Sequence, residues 1–191
     1  MTKITDIERL NHNGEGIGKI DGITVFIPKT IVGDKVEVEI EEEYVNYKRG
    51  KVKKYLKRGN DWIKPECKYY YECGGCNLSE LDYQNQIKYK EERIKNIFKR
   101  YLGKDISFDI IYNDKRYNYR NKITLHVIDG KLGLFEKKTN NLIEIDKCLL
   151  ISDKLNNIIN KLRNYDLTKV KRIILRESRN EIMLDIIGDT N

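Results

Sequence analysis

Apolar residues recur along this chain in two periods, and the switch between them marks its parts. Up to about Leu56 the period is two. Ile23-Thr-Val-Phe-Ile27 ends at Pro28, and Asp34-Lys-Val-Glu-Val-Glu-Ile40 alternates charged with apolar residues, the pattern of strands with one buried face. Gly14, Gly16, Gly18 and Gly22 punctuate this stretch. From Leu81 the period lengthens: Leu81, Ile87, Ile94, Ile97, Phe98, Tyr101 and Leu102 fall at near-helical spacing, with Lys88, Lys90, Arg93, Lys95 and Lys99 between them. Ser79-Glu-Leu-Asp82 reads as a capping box with Asp in place of Glu, and Gly103 closes the run, which predicts a long helix over about residues 80–102 with its stripe in a core. Beyond it, strands are predicted at Lys122–Ile128, Leu132–Glu136 and Leu142–Ile145, a helix over Ser152–Asn164, and a hairpin of Arg172–Arg176 with Glu181–Ile187.

Charge sharpens this layout. The 191 residues hold 37 Lys and Arg against 30 Asp and Glu, a net +7, which favours an anionic partner. The excess is local. After Glu41, Glu42 and Glu43, the stretch from Tyr44 to Arg58 contains seven basic residues (Lys48, Arg49, Lys51, Lys53, Lys54, Lys57, Arg58) and no acid. Tyr44, Tyr47 and Tyr55 are interleaved among them. Small barrels bind single strands by neutralising phosphates and stacking bases on aromatics, so this stretch is a candidate RNA face; its bland alternative is a solvated strand pair. Gly59-Asn60-Asp61 reads as a linker. No apolar run approaches membrane-spanning length and the N-terminus is no signal peptide, so a cytoplasmic, monomeric protein without membrane association is expected.

Sulfur supplies the candidate chemistry. The four cysteines are Cys67, Cys73 and Cys76 in one ten-residue stretch, then Cys148 after 71 intervening residues. In a reducing compartment such a set points to metal ligation rather than disulfides. Structural zinc usually takes two close pairs, whereas three plus one is more typical of an iron–sulfur cube; both readings, and free thiols, stay open on the residues alone. Tyr69, Tyr70 and Tyr71 lie within the stretch, as base-stacking candidates or as packing around a metal centre. Gly14-x-Gly16-x-Gly18 lacks the spacing and context of a dinucleotide loop. His126 reads as a strand residue rather than a ligand or base.

These motifs together resemble a family. Gly14-Glu-Gly16-Ile-Gly18, Val25-Phe26-Ile27-Pro28 and Gly33-Asp34-Lys-Val36 look like a TRAM domain, an OB-like RNA-binding barrel. Cys67-x5-Cys73-Gly-Gly-Cys76, Asn77-Leu78 and Leu81-Asp-Tyr83 resemble the iron–sulfur segment of RNA (uracil-5-)-methyltransferases. Tyr119-Arg120-Asn121-Lys122, Gly133-Leu-Phe135 and Ile145-Asp146-Lys-Cys148 are similar to the central domain of the 23S rRNA members.

The resemblance implies a mixed β and α+β fold. It comprises an OB-like barrel over 1–58, an iron–sulfur segment over 59–80, a long helix and connection over 81–115, and an α+β central domain over 116–191. In such enzymes the helix packs on the methyltransferase domain, so part of its apolar face is expected to be exposed in this chain. The resemblance also implies a [4Fe-4S] cluster on Cys67, Cys73, Cys76 and Cys148, and RNA contacts by Tyr119, Arg120 and Lys122 beside the barrel's basic run. The likeness is to the N-terminal half of such enzymes. Their C-terminal Rossmann-like domain, which binds S-adenosylmethionine and supplies the nucleophilic cysteine, is not expected within these residues. The chain alone is therefore expected to bind RNA, 23S rRNA first and tRNA second, without methylating it. The alternatives are a stand-alone RNA-binding module with a structural metal, and a cluster protein whose RNA affinity responds to redox state.

Overall fold

A computed structural model describes residues 2–179 and 181–189. The chain forms two compact units, residues 1–66 with 77–112, and residues 67–76 with 113–191. The cysteine stretch, expected within a segment of its own, is part of the second unit, while residues 77–82 and the long helix belong to the first.

The first unit holds β1 (Lys3–Asp6), β2 (Arg9–Leu10), β3 (Gly16–Ile20), β4 (Ile23–Ile27), β5 (Lys35–Glu43) and β6 (Tyr47–Lys57), in the order β1-β5-β6-β4-β3-β2. β1 and β2 are two pieces of one edge-closing segment. Lys3 to Asp6 pair with β5, and Arg9 and Leu10 pair with β3. The Ile7 N–H donates to the Asp34 carbonyl at 2.8 Å and the Glu8 N–H to that of Ile17 at 2.9 Å, so the sheet closes on itself. Inward alternation places Ile7, Ile20, Val25, Ile27, Val36 and Val38 in the core. Gly16 and Gly18 permit this closure: a Cβ at Gly16 would lie 2.0 Å from Thr30 Oγ1, and one at Gly18 2.5 Å from Thr5 Oγ1.

The helix α1 (Tyr83–Leu102) starts three residues later than the capping-box reading. Its N-cap is Asp82, whose carboxylate accepts the N–H groups of Gln84 and Asn85, and Gly103 ends it at φ +63°. Glu80 is diverted into a buried ion pair instead. None of the side chains of α1 is buried: Ile94, Ile97 and Phe98 are 40%, 43% and 38% exposed, so this part of the stripe is an open apolar face rather than part of a core. The Tyr89 hydroxyl donates to the Asn11 carbonyl, fixing α1 to the turn between β2 and β3.

The second unit contains β7 (Lys122–Ile128), β8 (Lys131–Phe135), β9 (Leu142–Glu144), α2 (Asp153–Leu162), β10 (Val170–Glu177) and β11 (Ile182–Gly188). Its antiparallel sheet runs β11-β10-β7-β8-β9. Ile123, Leu125 and Val127 of β7 and Ile173 and Leu175 of β10 meet Leu155, Ile159 and Leu162 of α2 in one core. Ser152 caps α2 by accepting the Leu155 N–H at 3.2 Å. This is the α+β layer expected from the switch in period. Among the described residues no helix is long and apolar enough to cross a membrane.

Candidate cysteine centre and nucleic-acid interface

The three-cysteine stretch is a series of tight turns pinned to the sheet edge of the second unit. The Cys73 N–H donates to the Tyr69 carbonyl at 2.8 Å, and the Gly74 N–H to the Phe135 carbonyl at 3.0 Å. Cys73 forms an antiparallel bridge with Glu136. Only glycine fits at position 74, because a Cβ there would lie 2.9 Å from the Lys137 backbone. The Gly75 N–H is 3.4 Å from the Cys73 sulfur and points a donor at it, the kind of hydrogen bond that tunes metal-bound thiolates.

Cys148 lies in the loop between β9 and α2. Its N–H donates to Asn156 Oδ1 at 2.9 Å and its carbonyl accepts Asn156 Nδ2 at 3.1 Å. Asn156 is buried on α2, so the helix clamps the cysteine backbone through both its polar groups. Arg163 on the C-cap of α2 donates to the carbonyl of Ile145. The two cysteine segments are joined by Asp146. Its carboxylate accepts the Tyr69 hydroxyl at 2.7 Å and the Lys68 ammonium at 2.7 Å, and its own N–H donates to Tyr69 Oη at 3.0 Å. These donors hold the Asp146 carboxyl down at about 2. Tyr69 is thus a brace and Tyr70 is buried, leaving Tyr71 as the exposed ring of the three. The spacing of the cysteines gave no sign of Asp146, Asn156 or Arg163.

All four cysteines are half-buried and none is in a disulfide. Among the described residues no three His, Cys, Asp or Glu side chains gather around a point that a metal ion would occupy. The chemistry of the donor set, four thiols and no imidazole or carboxylate, is one that either structural zinc or an iron–sulfur cube takes.

Of the expected RNA contacts, Tyr119, Arg120 and Lys122 are exposed. The Asn118 N–H donates to the Leu149 carbonyl at 2.9 Å and the Arg120 N–H to that of Leu150 at 2.8 Å, with Arg120 in a parallel bridge to Ile151. Tyr119 and Arg120 are therefore held directly against the residues that follow Cys148.

The basic run is a different object from the open strip its composition suggested. The β5–β6 hairpin sets acids across from it: Lys48 lies 3.1 Å from Glu43, Lys51 3.4 Å from both Glu39 and Glu41, and Lys53 3.9 Å from Glu37. Arg49 reaches the buried Glu15 at 3.5 Å and Glu42 at 4.0 Å. Arg58, expected on the RNA face, is turned toward the interior of its unit. It bonds Glu80 at 2.7 Å and Asp34 at 3.4 Å, both fully buried. Its guanidinium stacks 4.0 Å over Tyr55 and 5.0 Å from the Trp62 ring centroid. Burial opposes its charge, and Glu80 and Asp34 more than offset that opposition, so its pKa rises; burial is also what raises the carboxyl of Asp34. Gly59, read as a linker, is buried here: its N–H donates to Asp34 Oδ1 at 2.8 Å. Lys54 and Lys57 are exposed and make no ion pair among the described residues.

Comparison with known proteins places this geometry. Residues 5–53 match the TRAM domain model. An RNA methyltransferase of Caldanaerobacter subterraneus is 33% identical over 88% of this chain and 40% of its own length. The 23S rRNA uracil-C5 methyltransferase RlmD of Vibrio parahaemolyticus is 30% identical over 78% of the chain and 36% of its own. The chain thus spans about two fifths of the curated relatives it matches. The crystal structure of Pyrococcus abyssi tRNA (uracil-54, C5)-methyltransferase with S-adenosyl-L-homocysteine shares the fold over 98% of this chain and 46% of that one, with a TM-score of 0.71 at 22% identity.

Proposed function

We propose that this chain, which belongs to the TRAM-bearing RNA methyltransferases, supplies the RNA-holding, cysteine-bearing portion of an S-adenosylmethionine-dependent uracil-5 methyltransferase. 23S rRNA is the first candidate substrate and tRNA the second. In this reading Cys67, Cys73, Cys76 and Cys148 hold a [4Fe-4S] cluster, which when bound cross-links the two cysteine loops. Tyr119, Arg120 and Lys122 face the RNA, and the exposed Lys54 and Lys57 of the barrel contact phosphates. With all four cysteines assigned as ligands, none is left as a nucleophile, so the chain by itself binds RNA and transfers no methyl group.

The observation that carries this reading is the pairing of Asn118 and Arg120 with Leu149 and Leu150. It makes the position of the RNA-facing residues depend on the loop that carries Cys148. The test is iron and acid-labile sulfide content of anaerobically purified protein, with RNA affinity measured on the same sample. About four irons and four sulfides per chain are expected, together with salt-sensitive RNA binding. One zinc without sulfide moves the assignment to a stand-alone RNA-binding module, and absence of RNA binding overturns it.

A further inference from the structure

The ion pairs along β6 occupy Lys48, Arg49, Lys51 and Lys53, and the aromatic residues at the hairpin tip are a surface of a different kind from the cations Lys54 and Lys57. We propose that the outer face of Tyr44 is a stacking platform for one unpaired nucleobase of single-stranded RNA, an inference that rests on the RNA-binding reading above and adds a residue and a ligand class to it.

The three tyrosines of the basic run have three different environments. Tyr55 is committed inside: its hydroxyl donates to the Lys29 carbonyl at 2.6 Å and Arg58 covers its ring. Tyr47 is sandwiched, meeting Phe26 of β4 edge-on at 5.6 Å and Tyr44 face-on at 4.5 Å with 21° between the planes. Tyr44 ends the column. One face of its ring is taken by Tyr47, and the residue is still 48% exposed beside Val45, which is 93% exposed.

The column is held from below and from the side. The Tyr44 N–H donates to the Tyr47 carbonyl at 2.9 Å across the Val45–Asn46 turn, and the Tyr44 hydroxyl donates to Glu42 at 2.9 Å. Arg49, anchored on buried Glu15, lies 5.5 Å over the Phe26 ring. A ring fixed in this way loses little freedom when a base stacks on it.

Charge decides between a base and a phosphate as occupant. Lys48 and Arg49, the cations nearest this tip, are balanced by Glu43, Glu42 and Glu15, so the tip has no surplus cation to attract a backbone phosphate. Every nucleobase presents a π-face, and stacking on an exposed aromatic is tolerant of sequence.

The test uses an oligouridylate of about ten nucleotides, within the range one barrel covers, and an abasic oligonucleotide of the same length and charge, at one salt concentration. Tyr44→Ala is expected to weaken oligouridylate binding by about 5- to 150-fold while leaving abasic binding unchanged, and Tyr44→Phe to retain the wild-type affinity. A 2-aminopurine within the oligouridylate is expected to lose fluorescence on the unmodified protein, a readout that needs no variant to fold. Tyr44→Ala indistinguishable from wild type, or unquenched 2-aminopurine, overturns the platform. Equal wild-type affinity for the two oligonucleotides overturns the platform and leaves the RNA-binding reading standing; binding of neither removes both.

Discussion

The two units secure their functional segments by opposite means. In the barrel unit the anchoring polar groups are inside: Glu80 and Asp34 have no exposed side-chain surface, and Arg58 bridges them between Tyr55 and Trp62. In the second unit the cysteine stretch is tied by groups open to water, with Lys68 67% and Asp146 53% exposed. Charges removed from water are costly to separate, whereas exposed pairs are worth little. The barrel therefore carries its own lock, and the cysteine loops rest on backbone turns, Asn156 and, in the proposed reading, a cluster. RNA binding by the barrel should survive loss of metal, and the order of the Tyr119–Lys122 segment should not.

The largest test of this contrast is Glu80→Ala. It removes the closer of the two buried carboxylates from Arg58, leaving Asp34 at 3.4 Å as its remaining acid partner, and the expected loss is about 3 kcal/mol of barrel stability in urea unfolding. Arg58→Ala should destabilise likewise, while the salt slope of RNA affinity, measured on protein still folded, stays at its wild-type value. A reduced slope without lost stability would return Arg58 to the RNA face.

In the second unit the corresponding changes are smaller. Gly74→Ala pushes a Cβ against the Lys137 backbone and should cost about 1–3 kcal/mol. Asn156→Ala removes both bonds to the Cys148 backbone, for about 1–3 kcal/mol. Both should lower iron retention by the anaerobic protein, read as the rate of iron release to a chelator. Unchanged release would show that the clamp on Cys148 serves packing alone.

Much of this arrangement could be read from residue order, and what could not has a physical cause. The strands at Ile23–Ile27 and Lys122–Ile128 lie where alternation put them, and Gly103 and Ser152 cap the helices as their residue types require. Those features depend on neighbours in sequence. The acids that face the basic run were missed because its partners are set by hairpin register: Glu43 faces Lys48 and Glu39 faces Lys51, with shifts at bulges along the pair. Folding the sequence about Val45–Asn46 would have revealed the facing acids. Arg58 and Glu80 lie 22 residues apart, and nothing local says that an arginine ending a basic strand turns inward. Periodicity alone put the stripe on α1 in a core because it reports that one face is apolar and not what covers it; only the family resemblance implied that part of this face would be exposed. For the cysteines, spacing suggested a shared site, and Asp146 lay in the Ile145–Cys148 motif, but its pairing with Lys68 and Tyr69, 78 and 77 residues away, could not be read from that motif.

A third comparison concerns charge that remains available. Lys54→Glu and Lys57→Glu alter exposed cations of β6 that make no ion pair among the described residues, although Lys54 lies opposite Glu37 in register, whereas Lys51→Glu alters one already shared by Glu39 and Glu41. Each of the first two should reduce the salt slope for single-stranded RNA by about 0.7, with Lys51→Glu giving less. Equal effects at all three would mean that the ion pairs across the hairpin open on binding.

The smallest expected effect separates the units by pH. His126 on β7 stacks on Phe135 at 3.9 Å and faces Arg172 across the β7–β10 pair. Burial first, then the Arg172 cation, lowers its pKa below the ordinary 6.5. Above 6.5 the imidazole is neutral in folded and unfolded chains alike and stability does not depend on it. As pH falls below 6.5 the unfolded chain takes up the proton first, so the second unit loses stability until the folded pKa is passed. The shifted carboxyl of the barrel lock has the opposite sign: Asp34 is raised above 3.8 by burial, so the folded barrel binds that proton more readily than the unfolded chain. Acidification from pH 7 to 5 is therefore expected to lower the unfolding midpoint of the second unit through His126 and to spare the barrel. His126→Phe, which keeps a ring on Phe135, should remove that dependence. If the variant shows the same decline, the acid sensitivity lies elsewhere in the unit; if the barrel declines in parallel, its buried pairs are less well locked than their geometry indicates.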